Sequence, residues 1–138
     1  MSNKSLARTA AVLAIAICGV LWAQQQLSGQ QPPTVRRTVL LQQDLTIPGY
    51  QATLVAVEIP VGGREGRHTH PGSAVVHVEA GTLTLDYEGK PTMTFKAGES
   101  FYVEPGKIHE GINQGNMPVK AIATFIVEKG KPLTTQVK

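Results

Sequence analysis

From residue 35 onward the chain is a succession of short apolar or alternating runs, none longer than ten residues, cut apart by glycine and proline. The runs cover 35–41, 50–59, 73–80, 82–87, 92–96, 100–103, 108–113 and 119–128. In Thr82-Leu83-Thr84-Leu85 and Thr92-Met93-Thr94-Phe95 the apolar side chains fall on one face of an extended segment. Val, Ile and Thr dominate, which suits strands. The breaks carry turn chemistry: Pro48-Gly49, Gly62-Gly63, Gly89 with Pro91, Gly98, Pro105-Gly106 and Gly115-Asn116. No segment after residue 34 sustains a helical period. About eight short strands at this spacing predict an all-β antiparallel sandwich or barrel. A closed or double-sheet arrangement is favoured because it manages exposed strand edges. The 138 residues suffice for one such domain and its core.

The beginning of the chain is different. Lys4 and Arg8 precede the apolar run TAAVLAIAICGVLWA at 9–23, and polarity changes abruptly at Gln24. A basic start, a short apolar segment and a small final residue read as an export signal, 1–23, helical before removal. Cleavage is expected after Ala23, although Leu21 is larger than the ideal small residue two places earlier. If uncleaved, the segment would be the protein's one membrane anchor, but it is short of the ~20 residues a spanning helix needs. The Gln/Pro-rich stretch QQQLSGQQPPT, 24–34, reads as a flexible linker. The β domain is then 35–130, and the polar tail 131–138, with Pro132, is expected to lie on the surface or fray. The expected location is secreted, in the periplasm.

Cys18, the only cysteine, lies inside the apolar run behind Ile17, which disfavours lipid attachment. The domain therefore has neither disulfides nor thiolate ligands. Removing Lys4 and Arg8 lowers the net charge from +3 to +1. A nearly neutral domain gives no electrostatic reason to expect nucleic acid.

All four histidines fall in two glycine-punctuated stretches, GGREGRHTHPGSAVVHVEAG at 62–81 and GESFYVEPGKIHEGIN at 98–113, and His68, His70 and His109 are the three candidates for one site. His68 and His70 are one residue apart. On an extended segment they share a face with Cα atoms roughly 6.5 Å apart, close enough for two imidazoles to share one ion. Thr69 then faces the other way.

These stretches resemble the paired motifs of the cupin superfamily, in particular its small single-domain secreted bacterial members with a type-2 conserved barrel. Gly62, five residues and His68-x-His70 fit the first motif, which closes on Gly81. Gly98, Gly106, His109 and Asn113 fit the second in register. The resemblance covers nearly all of the β domain. It implies a jelly-roll β-barrel with His68, His70 and His109 pointing into its mouth as ligands of one divalent metal. Two positions depart from the pattern. Ala74 stands where the family carries a glutamate ligand, and Glu104, followed by Pro105, stands where the second motif has its first proline.

Without that glutamate, His68, His70 and His109 form a neutral three-nitrogen face, suited to Fe, Zn or Mn with positions left open. The metal keeps its full charge and attracts an anionic ligand, while retention weakens. The alternative is a degenerate site that lost its metal together with the glutamate. His77 follows His70 at odd spacing and is expected outward, unless a bulge near Pro71-Gly72 reverses the parity. Glu110 is expected to point away from His109, and Glu79 to be a surface charge. Glu104, at a turn near the mouth, is either solvated or orients a histidine. The barrel lining is expected to draw on Val76, Val78, Met93, Phe95, Phe101 or Tyr102, and Phe125; Val76, Phe101 and Tyr102 are candidates for a small-ligand pocket.

Two functions follow from different classes. One is a metal-dependent dioxygenase of a small enolisable or phenolic compound. The other is a non-catalytic module that captures a small molecule or a metal ion. Outer-sheet pairing into a homodimer is implied only loosely by the resemblance.

Overall fold

The computed structural model describes residues 33–138. The expected export signal and all but the last two residues of the expected linker lie outside the described residues. Ten strands follow in order: β1 (Arg36–Asp44), β2 (Tyr50–Ile59), β3 (His68–Thr69), β4 (Ser73–Ala80), β5 (Thr82–Tyr87), β6 (Met93–Lys96), β7 (Ser100–Val103), β8 (His109–Ile112), β9 (Val119–Glu128) and β10 (Thr135–Gln136). They form two antiparallel five-stranded sheets, β1-β2-β9-β4-β7 and β10-β3-β8-β5-β6. The fold is all-β, as the alternation predicts, and among the described residues no helix is long and apolar enough to cross a membrane.

Side-chain parity builds the core between the sheets. In β5, Leu83, Leu85 and Tyr87 turn inward and are at most 3% exposed. In β9, Val119, Ala121, Ala123, Phe125 and Val127 are buried, and the residues between them are not. The two alanines in the middle of that row are smaller than their neighbours. They leave unfilled the space that becomes the cavity described below, which both of them line.

Two turns are held by buried polar groups. Asn113 is 1% exposed. Its Nδ2 donates to the carbonyls of Ile59 and Met117, both at 2.9 Å, and its Oδ1 accepts from the Gly115 amide at 3.0 Å. It thereby ties the end of β2 to the β8–β9 turn and gives both carbonyls a donor. Glu110 accepts two hydrogen bonds from Arg64, Nε to Oε1 at 3.0 Å and Nη2 to Oε2 at 2.6 Å, and a third from the Gly66 amide at 3.1 Å. These bonds hold the carboxyl below the usual carboxylate range, the Arg64 hydrogen bond being the largest cause.

The tail corrects the sequence reading. Residues 131–138 do not simply fray on the surface. Thr135 and Gln136 pair with Thr69 and His68, and Leu133 packs against the core. Nor is there a bulge at Pro71-Gly72. The register shifts lie instead between Val39 and Leu41 and between Val78 and Ala80. His77 therefore stays on the outer face, where Nδ1 lies 2.9 Å from Ser100 Oγ.

Candidate metal centre

His68 and His70 flank Thr69 at β3, and His109 opens β8 directly opposite His68 in the ladder. The parity of the extended segment 68–70 sends the His68 and His70 imidazoles inward, and the antiparallel pairing brings the third ring beside them. Ring centroids are 4.9 Å apart for His68 and His70, 4.3 Å for His68 and His109, and 4.8 Å for His70 and His109. One ring nitrogen from each residue lies within 4.8 Å of the other two. All three residues are at most 5% exposed.

The backbone fixes which nitrogen is free. His68 Nδ1 lies 2.7 Å from the Gly66 carbonyl, His70 Nδ1 2.7 Å from the Leu133 carbonyl, and His109 Nδ1 3.0 Å from the Lys107 carbonyl. A carbonyl oxygen can only accept, so each Nδ1 carries the proton and each Nε2 keeps its lone pair. Outer hydrogen bonds of this kind set the tautomer and aim the ring of a metal-binding histidine. The donor set therefore fits a divalent ion. Two of the carbonyls sit two residues before their own histidine. The third comes from the tail, which the sequence reading left outside the site.

Burial drives the protonation state. It lowers the pKa of His70 and of His109 to about 4. For both, the carbonyl hydrogen bond opposes this shift, and the charge of neighbouring histidines adds to it; for His70 Arg37 adds further. Both rings are thus neutral at pH 7 and need not lose a proton to bind metal. The same shifts set the acid stability of the metal-free chain. Between pH 6.5 and about 4 the unfolded chain binds more protons at these positions than the folded one, so stability falls on acidification. Thermal melts of chelator-treated protein should show a Tm lower by roughly 5 °C or more at pH 4.5 than at pH 7. His109→Ala should flatten that slope.

The imidazoles form one wall of a cavity of about 150 Å³. The rest of the wall is mostly apolar and includes Val76, Phe101, Val103 and Phe125. The Phe125 ring packs edge-on against His70 at 4.8 Å, and Tyr87 stacks on His109 at 6.0 Å. Of the pocket candidates, Val76 and Phe101 are in the wall, but Tyr102 is not. It pairs with the outward Val75, is 51% exposed, and places its hydroxyl 2.9 Å from Ser73 Oγ. Glu104 does not reach the histidines either. Its carboxylate accepts from Lys90 Nζ at 3.2 Å on the surface, and its amide donates to the Tyr87 hydroxyl at 3.3 Å. Glu110 points away from His109 toward Arg64, and Glu79 is exposed. Sequence reasoning missed Arg37, Glu65 and Thr134, all in the cavity wall. Only Leu133 and Val137 in a mostly polar tail hinted that the tail docks.

Position 74 faces inward. Ala74 is fully buried and pairs with Phe125 across the β4–β9 ladder. An apolar pair thus stands where the motif would place a carboxylate.

A family model described as a cupin domain matches residues 55–134. None of the curated proteins compared gives a significant match. Among solved structures, a conserved protein with a double-stranded β-helix domain from Klebsiella pneumoniae is 18% identical, with a TM-score of 0.62 over 80% of this chain and 88% of that one. A cupin domain from Bordetella pertussis is 25% identical, with a TM-score of 0.57 over 71% and 98%. An oxalate oxidase in complex with the substrate analogue glycolate is 20% identical, with a TM-score of 0.62 over 78% and 57%. The family match spans more than half of the sequence and contains all three histidines, and with the double-sheet fold it establishes that the chain belongs to the cupin domain family.

Proposed function

We propose that this cupin holds one divalent ion, Fe, Zn or Mn, on His68, His70 and His109, and that it acts as a dioxygenase of a small enolisable or phenolic compound. The observation that carries this reading is the convergence of three neutral imidazoles, each with Nδ1 hydrogen-bonded to a carbonyl, on the wall of an apolar cavity. A bound ion supplies a Lewis-acidic anchor for an oxyanion, and iron adds the capacity to activate dioxygen. The chain contributes the rest. Its ligands carry no negative charge, so the anchor's pull on an enolate or phenolate is undiminished. Phe101, Phe125 and Val76 exclude water around the bound molecule. The export signal read at 1–23 supports a periplasmic site of action.

Metal analysis of protein purified without a histidine tag tests the first half of this reading. Oxygen consumption by the iron-loaded protein on a panel of catechols, enediols and β-dicarbonyls tests the second. Turnover above that of free iron, lost in the His68→Ala/His109→Ala double variant, is the expected result. No bound metal, or full activity in the double variant, overturns it.

One observation favours a non-catalytic ligand-binding module instead. Glu65, the one carboxylate in the described cavity wall, is already paired with Arg37 and is not left free as a base. Capture of a small molecule without turnover would establish that reading. Ala74→Glu probes the departure from the motif. With metal it should tighten retention about tenfold, because an anionic ligand joins the face. Without metal the buried carboxylate should cost about 2 kcal/mol or more. Competition against a calibrated chelator and melts of the metal-free form read the two effects; unchanged retention would show that position 74 does not address the histidines.

A further inference from the structure

Arg37 lies on β1, at the edge of one sheet, and Glu65 in the loop between β2 and β3. The Arg37 Nη2 and Glu65 Oε1 are 2.8 Å apart, and both residues border the cavity that the three imidazoles face. The carboxylate occupies room that Gly111 leaves open. A Cβ at residue 111 would lie 2.5 Å from Glu65 Oε2. Glu65 is thus 14% exposed, whereas the guanidinium side is 39% exposed. A pair this open to water adds little to folding stability and is easily exchanged.

Arg37 is the one arginine and Glu65 the one carboxylate in the described cavity wall. We propose that Arg37 is the anion-recognition residue of this cavity, and that its occupant is a small monocarboxylate with an apolar body about the size of benzene. Glu65 holds the guanidinium where the ligand's carboxylate would sit, and swings away when the ligand takes it. Size supports the apolar body: the cavity of about 150 Å³ matches apolar cavities that take up benzene. Charge supports the acid. A carboxylate replaces Glu65 on Arg37 one for one, a neutral molecule leaves the pair intact, and an ammonium would face the guanidinium. The fork of donors on arginine suits a carboxylate in a way a lysine would not.

This inference rests on the cavity being a ligand site, as proposed above, but not on a bound metal. The test therefore uses the full chain stripped with chelator, and metal binding is measured in separate samples. Calorimetric titration compares phenylacetate with its neutral isostere phenylacetamide. Phenylacetate should bind at least about tenfold more tightly to the wild type. Arg37→Gln should erase the difference, leaving phenylacetamide unaffected. Glu65→Gln should strengthen phenylacetate binding about threefold or more, because the internal competitor is gone. Equal affinities for acid and amide, a preference that survives Arg37→Gln, weaker acid binding by Glu65→Gln, or no binding of either probe at millimolar concentration would each overturn the proposal. Absence of metal in the separate samples would sink the metal reading alone.

Discussion

His109→Ala will reduce bound metal from about one ion per chain to below about one tenth, and will do so without unfolding the domain. His109 supplies one of three neutral donors whose nitrogens lie within 4.8 Å of one another. Deleting a partner that merely orients a ligand typically costs 10- to 100-fold in affinity, so deleting the ligand itself should cost more than about 100-fold. Melting separates this loss from misfolding. At metal concentrations 100-fold above the wild-type Kd, the wild type should gain about 2.7 kcal/mol, and the variant less than about 0.4 kcal/mol. In the metal-free state the two should melt within a few degrees of each other. The lost contacts to Tyr87 are partly offset, because one buried polar ring and its crowding against two others also disappear. His77→Ala is the internal control. Its ring lies on the outer face beside Ser100, so metal content should not change. Retention of metal by His109→Ala would break the three-histidine assignment.

Much of this site was legible because extended chain has only two faces. The spacing of His68 and His70 forces both rings to one side, and the β3–β8 pairing delivers His109 opposite His68. The runs at 50–59, 73–80, 82–87, 100–103 and 119–128 coincide with strands for the same reason: each has enough residues for alternation to show. A two-residue strand has no period. Thr135–Gln136 and His68–Thr69 were therefore invisible as strands, although together they close one edge of the second sheet.

What tertiary contact decides was not legible. The Leu133 carbonyl that aims His70 comes from 63 residues away, and no local pattern announces a backbone acceptor. Phe101 and Tyr102 are adjacent, and which of them faces inward depends on register with β4. Tyr102 falls opposite the outward Val75 and so points out. Glu104 found Lys90 rather than a histidine because the turn carries its carboxylate to the surface. Arg37 and Glu65 lie 28 residues apart, and only the closing of β1 toward the β2–β3 loop makes them neighbours.

Gly72→Ala should be the most damaging single methyl in the β domain. Gly72 follows His70-Pro71 and leads into β4, where the chain passes directly over β9. A Cβ at this position would lie 2.1 Å from the Ile126 carbonyl oxygen and 3.0 Å from Val127 Cγ1. Neither neighbour can yield cheaply. The first is backbone in the β4–β9 ladder, and Val127 is fully buried. The two strands must part where they begin to pair, at a cost of about 3 kcal/mol or more. For a domain of this size that is a fall in Tm of roughly 15 °C. Gly89→Ala supplies the contrast. Gly89 adopts φ +77° with nothing within 4 Å of the added atom, so only backbone conformation opposes the substitution. It should cost about 1 kcal/mol. The effect at residue 72 should also reach the site, since moving the start of β4 drags His70 off the Leu133 carbonyl and weakens metal binding in whatever protein remains folded. Equal melting temperatures for the two variants would mean that β4 and β9 are not held this closely, and the positioning of His70 would then need another cause.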